Sequence, residues 1–229
     1  LLDARRGIVA ERLAMFVGRS GLYAIVDGDA LGGRDPVAFA EAVLSAGPLF
    51  ALQLRAKGWS SRDLLTTARA LAGRCARRGV PFVVNDRADV AAMSGADAVH
   101  VGQHDLTIAQ ARWVAPRAMV GRSTHDPTQM RHALAEGPDY VAYGPVFATR
   151  SKENPDPVVG LEGLEGAAGL CRSAGVPLVA IGGITLENAL SVRRAGADAI
   201  AVIHALAAVA DDPSALRATA TALHEAFTR

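Results

Sequence analysis

The chain has 229 residues, half of them apolar, with 24 Lys and Arg against 23 Asp and Glu for a formal charge of +1. That length buries a substantial core in one (β/α)-type domain or two small ones. The near-zero charge removes any bulk attraction to nucleic acid or an acidic membrane, so affinity for anions must be local. Cys75 and Cys171 fall in helical stretches at no metal-binding spacing, and are read as reduced and packed. The longest apolar run, Ala199 to Ala210, is interrupted by His204 and too short to span a bilayer. The opening Leu1-Leu2-Asp3-Ala4-Arg5-Arg6 lacks a signal-peptide core and an initiator Met, and the cytoplasm is the expected compartment.

In chain order, residues 3–17 predict an N-terminal helix with Val9, Leu13, Phe16 and Val17 on one face, capped by Asp3 and covering an end of the domain. Residues 1–20 are expected to form the helical extension of a single domain over 1–229. Apolar strands follow at 22–27, 49–54, 81–85, 98–101, 118–122, 139–143, 177–181 and 199–203. Helical stretches alternate with them near 36–46, 60–78, 87–94, 107–115, 127–136, 161–174, 185–195 and 212–227. Six helices leave through a glycine (Gly47, Gly79, Gly95, Gly137, Gly175 and Gly196) two or three residues before the next strand. Glycine takes the left-handed conformation there without a Cβ penalty, so one turn type repeats. Eight such units predict a (β/α)8 TIM barrel with an additional N-terminal helix. A doubly wound open sheet is the rival, but the turn after the first strand, Val26-Asp27-Gly28-Asp29-Ala30-Leu31-Gly32-Gly33, carries no dinucleotide fingerprint.

A parallel barrel keeps its chemistry where strands end. The third strand stops abruptly on Asn85-Asp86-Arg87, a site unless Asn85 or Asp86 merely caps the next helix. Alternation puts Gln53, Arg55 and Lys57 on one side at the mouth of the second strand. Two cations there repel unless an anion sits between them, which points to a diphosphate or carboxylate ligand, with a solvated loop as the plain alternative. Asp86 and Asp105 are carboxylates at adjacent strand ends with no cation at helical spacing, although Arg87 adjoins Asp86. Facing one pocket they suit Mg²⁺; the competing reading makes Asp105 the cap of the helix at Thr107.

His100, Gln103 and His104 crowd one loop, where a His pair lacks the helical support of a zinc site. Ser123-Thr124-His125-Asp126 is no catalytic triad, because sequence neighbours rarely meet in triad geometry. Gly144 to Gly160 reads as a long loop whose Thr149, Ser151 and Lys152 close over a phosphate, or as a plain surface loop. Gly182-Gly183 after the seventh strand and Ile203-His204 after the eighth sit where barrels place a phosphate site.

From about Tyr23 to Ala205 the chain resembles the thiamine phosphate synthase family. The likeness lies in Gln53-Leu54-Arg55-Ala56-Lys57, Val84-Asn85-Asp86-Arg87, Val99-His100-Val101-Gly102-Gln103-His104-Asp105-Leu106, Gly121-Arg122-Ser123-Thr124-His125, Gly144-Pro145-Val146-Phe147-Ala148-Thr149 with Lys152, and Ala180-Ile181-Gly182-Gly183-Ile184. The resemblance implies coupling of a hydroxymethylpyrimidine diphosphate to a thiazole phosphate with release of pyrophosphate. It makes Asp86 and Asp105 the ligands of Mg²⁺ on the diphosphate. Gln53, Arg55, Lys57, Asn85 and Lys152 bind diphosphate or pyrimidine, and Ser123 lies near the reacting methylene. Thr149, Ser151, Gly183, Ile203 and His204 hold the thiazole phosphate. Arg55, Lys57, Ser123 and Lys152 are the catalytic set. The partners implied are these small substrates, with no nucleic acid and no membrane; self-association is left open. Three positions depart from the family: Ser151 for a usual Thr, His204 for a frequent Ser, and His104 for a commonly acidic residue. The competing readings are a thiazole tautomerase-like isomerase and a non-catalytic phosphate-binding barrel.

Overall fold

The computed structural model describes residues 15–149 and 156–229. Eight parallel strands close in sequence order, β1 pairing with both β2 and β8. They are β1 (Gly21–Asp27), β2 (Ala51–Arg55), β3 (Phe82–Asn85), β4 (Ala98–Val101), β5 (Met119–Thr124), β6 (Tyr140–Tyr143), β7 (Leu178–Ile181) and β8 (Ala199–Val202). The helices are α1 (Gly28–Leu31), α2 (Pro36–Leu44), α3 (Ser61–Arg78), α4 (Ala88–Ser94), α5 (Ile108–Val114), α6 (Pro127–Ala135), α7 (Gly160–Ala174), α8 (Ala189–Arg194), α9 (His204–Ala207) and α10 (Pro213–Thr228). Closure excludes the open sheet. Every expected strand is present within two residues of its expected bounds. The short α1 and α9 were not anticipated, being too brief to show a 3.6-residue period.

The starts and stops follow local chemistry. Asp35, Asp126 and Asp212 cap helices that open on proline, and Thr107 with Gln110 forms a reciprocal capping box on α5. All six expected exit glycines have positive φ, from +61° at Gly79 to +127° at Gly47. Three of these exits are followed two residues later by aspartate. Asp97, Asp139 and Asp198 accept from the backbone N–H of Phe82, Val120 and Leu178 at 2.8, 2.7 and 2.8 Å, tying β4 to β3, β6 to β5 and β8 to β7 at the lower end of the barrel.

Alternation along the strands sorts the apolar residues into two cores. Leu22, Ala24, Val26, Leu52, Leu54, Val84 and Val99 face the helices, with Cys75 and Cys171 buried in that layer. Tyr23, Ile25, Ala51, Val83, Ala98, Tyr140, Val179 and Ala199 fill the barrel itself. Small inward residues make room for the tyrosines: a Cβ on Gly121 would lie 2.1 Å from Tyr140 Cζ. Below them Phe16 stacks on Phe50 at 5.2 Å and tilts against Tyr140 at 4.9 Å. The expected N-terminal helix falls mostly outside the described residues. Phe16 is buried as expected, but Val17 is 53% exposed, because the helical turn ends before it.

Candidate active site

With its floor sealed by aromatic rings, the barrel opens at the C-terminal ends of the strands into a cavity of about 1020 Å³. Gln53, Arg55, Lys57, Asn85, Asp86, Asp105, Ser123, Thr149, Gly183, Ile203 and His204 all line it, as do His100, Gln103, His104 and His125. Ser151 and Lys152 lie outside the described residues.

The expected repulsion between Arg55 and Lys57 is relieved by the protein's own carboxylates. Arg55 is paired with Asp27, its register neighbour on β1, and Lys57 Nζ lies 3.4 Å from Asp86. Asp86 therefore does have a cation, though not Arg87, whose guanidinium turns to Asp89 at 2.6 Å. Asp27, which pairs with Arg55 from behind the cavity wall, is one functional residue absent from the sequence reading. It is 4% exposed, and its other oxygen takes the N–H groups of Asp29 and Ala30 at the start of α1. Its signal was available in the pairing of the first two strand ends, both of which finish on a charged residue.

Alternation alone would send Asp86 outward, since Asn85 points in. The backbone overrides it. Asp86 has φ +61° and is the only non-glycine residue with positive φ among those described. The Arg87 N–H reaches back to the Asn85 carbonyl at 2.7 Å, closing a three-residue turn of the strained hand. That conformation costs about 1–2 kcal/mol, and it swings the carboxylate over the cavity, so Asp86 caps nothing; α4 starts at Ala88, with Arg87 as its N-cap and no side-chain cap bond. Asp105 caps nothing either, because Thr107 does so, and its Oδ2 accepts from the Gly102 N–H at 2.8 Å. Burial raises the Asp86 carboxyl to about 6, the facing Asp105 carboxylate adds to the rise, and Lys57 opposes it. Two carboxylates are thus held together against their repulsion.

His100 belongs to β4 rather than to the loop, and its Nδ1 and Nε2 lie 3.0 Å from Tyr140 Oη and 2.8 Å from Ser123 Oγ. The residues 123–126 diverge: His125 Nδ1 meets the Gly144 carbonyl at 2.6 Å, and Asp126 caps α6. Across the mouth, Gly182 and Gly183 have φ +101° and +64°. A Cβ on Gly183 would sit 2.5 Å from the Ala148 carbonyl oxygen, so only glycine lets the β6 loop lie against the end of β7. Around Gly182 and Gly183 this wall presents backbone, with Thr149, Thr185 and His204 beside it, where the opposite wall carries Arg55, Lys57, Asp86 and Asp105.

A family model described as "Thiamine monophosphate synthase" matches residues 22–206. The chain belongs to the thiamine monophosphate synthase family. It is 49% identical over 187 residues to a thiamine-phosphate synthase from Koribacter versatilis, covering 80% of this chain and 86% of that one. A thiamine-phosphate synthase from Anaeromyxobacter dehalogenans is 44% identical over 207 residues, with 90% and 88% coverage. Among solved structures, a thiamine phosphate pyrophosphorylase from Pyrococcus furiosus superposes with TM-score 0.78 at 31% identity, over 91% of this chain and 95% of that chain. Among the described residues, no helix is long and apolar enough to cross a membrane.

Proposed function

We propose that this protein couples a hydroxymethylpyrimidine diphosphate to a thiazole phosphate, releasing pyrophosphate, with the residues above in divided roles. Family membership supports the reaction. The single observation that supports the division of labour is the cavity's asymmetry: Arg55, Lys57, Asp86 and Asp105 on one wall, the Gly182-Gly183 backbone with Thr149 and His204 on the other.

Asp86 and Asp105 would hold Mg²⁺. They offer hard oxygen donors, and no third histidine, cysteine or carboxylate joins them among the described residues. That suits an ion which keeps water and substrate phosphate oxygens in its shell. When bound, it supplies charge neutralisation on the departing diphosphate. Opening the C–O bond leaves positive charge on the electron-rich aminopyrimidine and new negative charge on pyrophosphate. Arg55, oriented by Asp27, and Lys57 sit where that negative charge grows, as would Lys152 from the β6 loop, so they bind the transition state more tightly than the ground state. With Asp86 engaged in holding the ion, Lys57, which lies 3.4 Å from it, would be available to the diphosphate. Gln53, Asn85 and Ser123 orient the pyrimidine; the N–H groups near Gly183 and Ile203, with Thr149, Ser151 and His204, hold the thiazole phosphate so that its ring nitrogen faces the methylene. No protein nucleophile is required. An isomerase on this barrel would have no use for the paired aspartates and lysines.

The test is an assay of both substrates with Mg²⁺, and again with excess chelator. Coupled product in the first mixture and none in the second is expected; no product at any Mg²⁺ concentration defeats the proposal.

A further inference from the structure

Five polar side chains from five strands form one hydrogen-bonded line across the barrel. Ser123 Oγ meets His100 Nε2 at 2.8 Å, His100 Nδ1 meets Tyr140 Oη at 3.0 Å, Tyr140 Oη meets Tyr23 Oη at 2.9 Å, and Tyr23 Oη meets Gln53 Oε1 at 2.8 Å. All but Ser123 are buried. Burial raises both phenols well above their ordinary value, so each keeps its single proton and can donate once.

The direction of every link then follows from one end. Gln53 Oε1 can only accept, which commits the Tyr23 proton. Tyr140 must therefore donate to Tyr23. Towards His100 the Tyr140 oxygen can now only accept, so Nδ1 carries the hydrogen. A neutral imidazole protonated at Nδ1 is bare at Nε2, and the Ser123 hydroxyl donates to it.

We propose that this one-way chain fixes the hydrogen-bonding pattern shown to the pyrimidine: lone pairs at Ser123, an amide NH₂ at Gln53, with His100, Tyr140 and Tyr23 as positioning residues behind them. The inference rests on the synthase reading. An aminopyrimidine carries an exocyclic N–H donor and ring-nitrogen acceptors, the complement of that pattern. As positive charge develops on the ring its amino group becomes a stronger donor, so an acceptor at Ser123 favours the transition state. Buried polar networks of this kind are retained when every member is satisfied.

The test is ¹⁵N NMR of histidine-labelled free protein at neutral pH, with His100 assigned by loss of its signals in His100→Gln. Wild-type protein is expected to show His100 protonated at Nδ1 only. Protonation at Nε2, or at both nitrogens, overturns the inference. Tyr23→Phe touches neither His100 nor Ser123, yet it frees the Tyr140 proton for Nδ1. The tautomer should move towards Nε2–H, and KM for the pyrimidine diphosphate should rise about tenfold with KM for the thiazole phosphate unchanged. An unmoved tautomer, or both KM values rising together, contradicts it. Because the tautomer is read without substrate, failure of wild-type protein to form product would strike the synthase reading alone, whereas an Nε2-protonated His100 would strike this inference alone.

Discussion

At the lower end of the barrel, Asp97, Asp139 and Asp198 each accept a hydrogen bond from a backbone N–H on the neighbouring strand. At the mouth, Asp86 stands in a left-handed conformation with its carboxyl against Asp105 and raised to about 6. The residue type is the same and the local energetics are opposite. The lower aspartates are satisfied within the fold, whereas the upper pair is held in a strained, mutually repelling arrangement that a cation relieves. Stability collected at one end allows the other to keep a destabilised site, the division expected of barrels whose chemistry sits at the strand C-termini.

The comparison can be broken from either end. Lys57→Ala removes a half-exposed charge whose pairing with Asp86 is screened by solvent, so turnover should fall about a hundredfold to a thousandfold while the melting temperature moves little; turnover near wild type would remove Lys57 from the mechanism. Gly183→Ala probes the backbone wall. Its Cβ meets the Ala148 carbonyl oxygen at 2.5 Å, so KM for the thiazole phosphate should rise by about tenfold or more, with KM for the pyrimidine diphosphate little changed. A uniform loss on both substrates would mean that the walls do not divide the work. At the lower end, Asp198→Ala leaves the Leu178 N–H unpaired and should cost about 1–3 kcal/mol in denaturant unfolding, while kcat per folded molecule stays at the wild-type value. A fall in kcat with stability intact would erase the distinction between the ends.

The smallest effect is one of pH. Asp86 rises from 3.8 to about 6 on folding, so native protein binds that proton more tightly than unfolded protein does. Its stabilising contribution is present below about 4 and is lost as pH rises through about 6. In metal-free protein, Asp86→Asn, which keeps a residue tolerant of positive φ, should therefore gain in melting temperature over wild type as pH goes from 4 to 7. A difference independent of pH, or one of the opposite sign, would count against the frustrated pair.

Most of the fold was legible because its signals are local. Glycine exits, proline-led helix starts and short apolar runs each announce themselves within a few residues, and the six exit glycines all adopt the expected hand. What stayed hidden depends on contacts across the barrel. Nothing near Asp27 in the sequence says that Arg55 lies beside it, and nothing in the alternation of β3 says that Asp86 turns inward. The Tyr23–Tyr140–His100 chain is invisible for the same reason: its members are 117 and 40 residues apart in sequence. The aspartates of the Gly-x-Asp exits lay in plain view, but their role required knowing which strand pairs with which.

The central claim is that the strained carboxylate at the end of β3 serves the departure of the diphosphate rather than the integrity of the fold. Single-turnover release of pyrophosphate, measured with both substrates and Mg²⁺ saturating, tests it most directly when wild type is set beside Asp86→Asn. The account predicts a fall of about a hundredfold or more in a variant that is at least as stable as wild type at pH 7. Release within a few-fold of wild type would contradict it.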